Sequence, residues 1–86
     1  MFYYVYLLLL SNKDIYTGYT SDLRKRVKQH EIGGVQSTQQ YRPIKLIHYE
    51  AYLKKEDAER REKFLKSSDG KQLLKRQLSV LLKEIR

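Results

Sequence analysis

The sequence predicts a mixed α/β (α+β) fold: a small, mainly antiparallel three-stranded sheet flanked by three helices, in the order β-β-α-β-α-α. Three observations point there. Short runs rich in aromatic, β-branched and leucine residues fall at 2–10, 15–20 and 44–52. Polar segments with apolar residues at helical spacing lie between and after them. A chain of 86 residues suffices for one small core and is too short for two, so residues 1–86 read as a single domain.

The first run, Phe2 to Leu10, is apolar at both parities, which suits a central strand covered on each face. Its nine residues fall short of the roughly 20 that span a bilayer, and it lacks the basic start and cleavage site of a signal peptide. Ser11-Asn12-Lys13-Asp14 is turn chemistry, and Ile15 to Thr20 follows closely enough to form a hairpin. Gly18 inside that strand marks a close approach of another group. Ser21 or Asp22 caps a first helix running to about Glu31, with Leu23, Val27 and Ile32 as its thin apolar stripe. Gly33-Gly34 ends it, Val35 to Arg42 is a polar loop, and Pro43 precedes a third strand, Ile44 to Tyr52. Lys54 to Lys66 is the second helix, with Ala58, Phe64 and Leu65 inward. Ser67-Ser68-Asp69-Gly70 breaks it, and Lys71 to Ile85 is one long third helix carrying leucines at helical spacing.

A net charge of +8 favours a polyanionic partner, either nucleic acid or an anionic membrane surface. The absence of cysteine excludes a disulfide framework and a thiolate zinc site, and a cytoplasmic location is the simplest expectation. Arg24, Lys25 and Lys28 on the first helix, and Arg42 beyond it, are the candidates for phosphate-backbone contacts, although a charge run is most often just a solvated face.

Within this frame a few side chains carry chemistry. Tyr6 and Tyr16 lie on paired strands, and the side-chain period of two makes their relation a matter of register. An even loop such as Ser11 to Asp14 pairs Leu9 with Tyr16 and separates the phenols. An odd loop such as Ser11 to Lys13 pairs Leu8 with Tyr16 and brings them to one face. Arg26, three residues after Leu23, borders the apolar stripe with no helix neighbour to neutralise it, and His30 stands one turn further along. Glu62 shares the inward side of the second helix with Ala58 and Leu65, so it must be paired, with Arg61 or Arg26, or else bound to a cation such as magnesium.

These residues resemble the GIY-YIG nuclease family. Tyr4-Val5-Tyr6 and Tyr16-Thr17-Gly18 correspond to its two named triplets, Leu23, Arg26 and His30 to its helix motif, and Ala58 to Glu62 to its later Ala-x-x-x-Glu segment. The chain is most similar to the small stand-alone bacterial branch, whose domain is similar to the N-terminal nuclease domain of the excision-repair subunit UvrC. Arg42 to Leu46 and Arg61 to Lys66 also fit that branch, and the likeness runs from about residue 2 to 80. It departs in carrying Tyr4 and Thr17 at the first glycine and the isoleucine, Tyr19 where UvrC-like domains have a basic residue, and no active-site asparagine after Glu62.

The resemblance implies phosphodiester hydrolysis in DNA, with RNA left open, and a setting in the repair or processing of branched or damaged DNA. It implies one Mg2+ or Mn2+ ion held by Glu62, Tyr6 and Tyr16 orienting or deprotonating water, Arg26 on the scissile phosphate and His30 assisting. The alternative is a nucleic-acid-binding module that keeps the fold without turnover. A third reading is an interaction domain using a stripe of Leu74, Leu78, Leu81 and Ile85.

Overall fold

The hairpin comes first. Strands β1 (Tyr3–Leu9) and β2 (Ile15–Thr20) pair antiparallel, and β3 (Lys45–Tyr52) returns along the other side of β1, giving the sheet order β2-β1-β3. The computed structural model describes residues 1–85. As its sequence demands, β1 is central and covered on both faces: Val5, Tyr6, Leu7 and Leu8 are each at most 1% exposed. Val5 and Leu7 pack with Ala58, Leu65 and Leu74, whereas Tyr6 and Leu8 pack with Tyr16, Leu23, Val27 and Leu46. One face therefore carries α2 (Lys55–Lys66) and α3 (Ser68–Gln77), and the other carries α1 (Leu23–Glu31).

The hairpin loop is the odd one. Leu10 N–H donates to Asp14 O at 2.9 Å across Ser11-Asn12-Lys13, and Lys13 adopts φ 72°, the left-handed conformation that closes so tight a turn. Tyr16 consequently stands opposite Leu8, and Gly18 opposite Tyr6. On the far side of β1 the pairing skips from Leu7–His48 to Leu8–Leu46, so Ile47 is the extra residue of a β-bulge in β3.

Helix α1 is capped by Asp22, whose Oδ1 accepts from Lys25 N at 3.2 Å, and it unwinds at Gly33 with φ 83°. Ile32, expected in its inward stripe, is 64% exposed instead; the helix has ended there, and His30 takes the buried position. The stretch read as a polar loop is more ordered than expected. Val35 and Thr38 are buried, Gln39–Tyr41 forms a 3₁₀ turn, and Ser11 N–H donates to Tyr41 O at 2.9 Å, tying this segment to the hairpin.

Two further expectations need correction. Phe64 does not point inward but is 39% exposed, with the Arg61 guanidinium 5.6 Å from its ring centre. Arg61 is drawn toward the sheet by Glu50, to which it donates from Nε at 2.9 Å and Nη2 at 3.3 Å. The third helix is two helices, α3 and α4 (Ser79–Ile85), jointed at Leu78, which makes four α-helices among the described residues. The expected break at 67–70 shrinks to Ser67, which caps α3 by accepting from Gly70 N at 3.1 Å. Gly70 then lies so close to α2 that a Cβ there would overlap the Phe64 carbonyl. Leu74 is core and Leu78 packs against it, which removes half of the stripe that an interaction domain would have presented. Among the described residues no helix is long and apolar enough to cross a membrane.

Candidate active site

Strands β1 and β2, helix α1 and the segment around Thr38 meet on the α1 face of the sheet. The odd loop puts Tyr6 and Tyr16 on one face, with ring centres 6.3 Å apart. Gly18, opposite Tyr6, has no side chain, and the Tyr6 ring lies across it; a Cβ at Gly18 would coincide with the phenol end of that ring. This is the close approach that a glycine within a strand suggested. It lets a tyrosine of the central strand extend over its neighbour toward the sheet edge.

His30, from the last turn of α1, closes over both phenols, with ring centres 5.6 Å from Tyr6 and 5.2 Å from Tyr16. Its Nε2 is 2.9 Å from the Tyr6 hydroxyl and its Nδ1 is 2.7 Å from Thr38 Oγ1. Tyr6, His30 and Thr38 are all at most 1% exposed, so each polar atom of this chain is matched inside the protein. The Thr38 hydroxyl has a single proton, and the Val35 carbonyl lies 3.5 Å away to accept it. With that proton so placed, Thr38 Oγ1 accepts from His30 Nδ1–H, and Nε2 is left as a bare acceptor for the Tyr6 hydroxyl.

The electrostatics agree with a neutral imidazole. Burial, followed by the nearby Arg26 charge, pulls the His30 pKa down from 6.5 to about 4. Burial likewise raises the Tyr6 phenol above its ordinary value, while the Arg26 guanidinium beside it pulls the other way.

Arg26 is half-buried at the border of the stripe, as its spacing implied. Its Nη1 donates to Gln29 Oε1 at 3.1 Å, and no carboxylate among the described residues pairs with it. Among the described residues the cation thus donates to a neutral amide and has no carboxylate to offset its charge. With Lys25, Gln29, Thr20 and Ser21 it lines a cleft at the start of α1. Arg24 and Lys28 lie exposed on α1. Arg42 sits beyond the other end of that helix, folded over Gly33 and donating to Gln39 O at 3.0 Å.

Glu62 is half-buried on α2, and its charge is felt at the Tyr6 hydroxyl. Neither expected arginine is its partner, because Arg61 is taken by Glu50; Glu62 accepts instead from Lys66 Nζ at 3.0 Å. That lysine is 55% exposed and can swing away into solvent. No cluster of three or more acidic, histidine or cysteine side chains exists among the described residues. A cation here would have one protein carboxylate and otherwise water or substrate oxygens, a donor set that suits magnesium.

Thr38 is the residue that the sequence concealed. It sits in a polar stretch without periodicity, eight residues from the histidine it orients, and the only hint was the need for a second partner once His30 is buried.

A family model described as the GIY-YIG catalytic domain matches residues 2–76 of the chain. A UPF0213 protein of Clostridium perfringens is 37% identical over 82 residues, covering 94% of this chain and 88% of that protein. A UPF0213 protein of Haloquadratum walsbyi is 37% identical over 67 residues, 77% of this chain and 75% of the relative. A solution NMR structure of a UPF0213 protein from Bacillus halodurans is similar in fold, with a TM-score of 0.55 and 38% identity over 86% of this chain and 82% of that one.

Proposed function

The chain belongs to the GIY-YIG catalytic domain family, whose members are endonuclease-type domains acting on nucleic acid, and from that premise we propose that it hydrolyses phosphodiester bonds in DNA with one magnesium or manganese ion. The observation that carries most weight is the hairpin register, which gathers Tyr6 and Tyr16 beside a cation with no carboxylate partner among the described residues.

In this reading Arg26 binds the scissile phosphate through its paired N–H groups, releasing its weaker contact with Gln29. Tyr6 takes the proton of the attacking water as its own proton moves to His30 Nε2. The Arg26 charge next to the phenol lowers the cost of negative charge on that oxygen. Tyr16 shares no hydrogen bond with His30 among the described residues and orients the water. Thr38 holds the imidazole in the tautomer that can accept. The water oxygen bonds to phosphorus, the bond to the leaving sugar oxygen breaks, and that oxygen takes a proton from solvent. Glu62 would hold the ion, which when bound polarises a phosphoryl oxygen and screens the leaving oxygen. Branched or damaged DNA in a repair setting is the substrate class that we favour.

The test is cleavage of labelled single-stranded, duplex and branched DNA with magnesium or manganese, wild type beside Glu62→Ala and Arg26→Ala. Cleavage by wild type, with both variants folded and inactive, supports the assignment. Binding without cleavage on every substrate, or full activity of Glu62→Ala, would replace it with a binding module that keeps the fold.

A further inference from the structure

The sheet face that bears Tyr6 is only half covered. Below Tyr6, Leu23 and Val27 of α1 pack with Leu8, Tyr16, Ile44 and Leu46. Above it, Phe2, Tyr4 and Tyr49 belong to neither cluster of the core. Phe2 is 45% and Tyr49 53% exposed, and Tyr4 is half-buried between them. Their rings form a row, Phe2 to Tyr4 at 6.5 Å and Tyr4 to Tyr49 at 6.0 Å between centres. Tyr49 is the strand partner of Tyr6, so this row begins beside the reactive phenol. Thr20, the strand partner of Tyr4, lines the cleft that holds Arg26 and Lys25. An aromatic shelf and a cation without a carboxylate partner among the described residues thus flank Tyr6 together.

We propose that this shelf binds unpaired nucleotides adjoining the phosphate at Arg26, so that the substrate is single-stranded, or locally unpaired, where it is cut. This deepens the nuclease reading and rests on it. Charge and ring spacing both select the occupant. The chain carries +8, and Lys25 and Arg26 open onto the neighbouring cleft, so the ligand that covers the shelf is anionic. Bases stacked in a duplex repeat about every 3.4 Å and hide their faces from the protein. Rings 6.0 to 6.5 Å apart accept bases that have separated from one another. Stacking on aromatic side chains tolerates any base, which suits a chain with few residues to spare for reading sequence.

The experiment is fluorescence anisotropy in EDTA, without divalent ions, using labelled oligo(dT) and a labelled blunt-ended duplex. Wild type is compared with Tyr49→Ala, Phe2→Ala and Tyr49→Phe, at exposed positions where the fold is insensitive. Tyr49→Ala should weaken oligo(dT) binding about five- to a hundred-fold while leaving duplex binding within about twofold, and Tyr49→Phe should retain most of the affinity. Equal affinity of wild type and both alanine variants for oligo(dT) would overturn the proposal. So would a dimer in sedimentation that dissociates on Tyr49→Ala, because the shelf would then be covered by a second copy. Because binding is read without cleavage, a protein that never cuts still tests the shelf. One that cuts DNA with Tyr49→Ala indistinguishable from wild type keeps the nuclease and loses the shelf.

Discussion

Acidification should destabilise this protein through His30 in a window that can be stated in advance. In the unfolded chain the imidazole titrates near 6.5; in the folded protein burial and the Arg26 charge hold it near 4. Between those values the unfolded chain carries a proton that the folded chain refuses, so lowering the pH favours unfolding. The contribution is full above about pH 6.5, is withdrawn as the pH falls, and is gone below about 4. That gap corresponds to about 3 kcal/mol, a large part of the stability of so small a domain. The perturbation is His30→Gln, which removes the titration and retains a polar side chain. Urea unfolding of both proteins from neutral pH down to about 4 should show wild type losing about 3 kcal/mol more than the variant. Carboxylates that titrate in the same range are common to both proteins and cancel in the comparison. NMR of the imidazole protons supplies the direct check. If His30 in the folded state titrates near 6.5 and the two stability curves run parallel, the buried bond to Tyr6 and the mechanism built on it are refuted.

Three other outcomes follow from the packing. Gly18→Ala puts a methyl group where the Tyr6 ring lies and should cost about 2–4 kcal/mol in denaturant unfolding, with loss of the low His30 pKa as its local signature. Thr38→Val keeps the shape but leaves His30 Nδ1 without its partner; it should cost about 1–3 kcal/mol, and Thr38→Ser should recover most of that. At Glu50, burial works against the charged form but the bonds from Arg61, Tyr52 and His48 outweigh it, so its pKa lies below the usual value. That stabilisation is present at neutral pH and is lost as the carboxylate protonates below its unfolded value of about 4.5, so Glu50→Gln should lower stability at pH 7 and flatten the acid limb of the unfolding curve.

How far the sequence reveals this structure depends on whether a residue's partner is near or far along the chain. The central position of β1 is legible because apolar side chains at both parities have only one favourable environment. Arg26 and His30 are legible because helical spacing alone sets them on one side. The meeting of Tyr6 and Tyr16 is only half legible: either loop parity is compatible with Ser-Asn-Lys-Asp, and the choice falls on Lys13 adopting a conformation that a lysine does not advertise. Phe64 is misplaced by pattern alone because Glu50, eleven residues before Arg61, draws the arginine toward the sheet and leaves the aromatic ring outside. The joint at Leu78 is hidden because the leucine spacing runs on through it. Glu62 is correctly read as half-buried but its partner is not, since a lysine one turn away can reach it from solvent.

The order in which the strands occur has a consequence for how the protein comes into being. The strand bearing Tyr6 precedes the other two strands of its sheet, yet it is the one that needs neighbours on both sides, and the second neighbour ends only at Tyr52. A nascent chain can close the local hairpin early, but the face beneath Tyr6 waits for the distant strand and for the helices that follow it. Until residues through Tyr52 have emerged from the ribosome, Tyr6 has no interior to enter. A truncated or stalled product is thereby a hairpin with exposed aromatic residues rather than a stray nuclease.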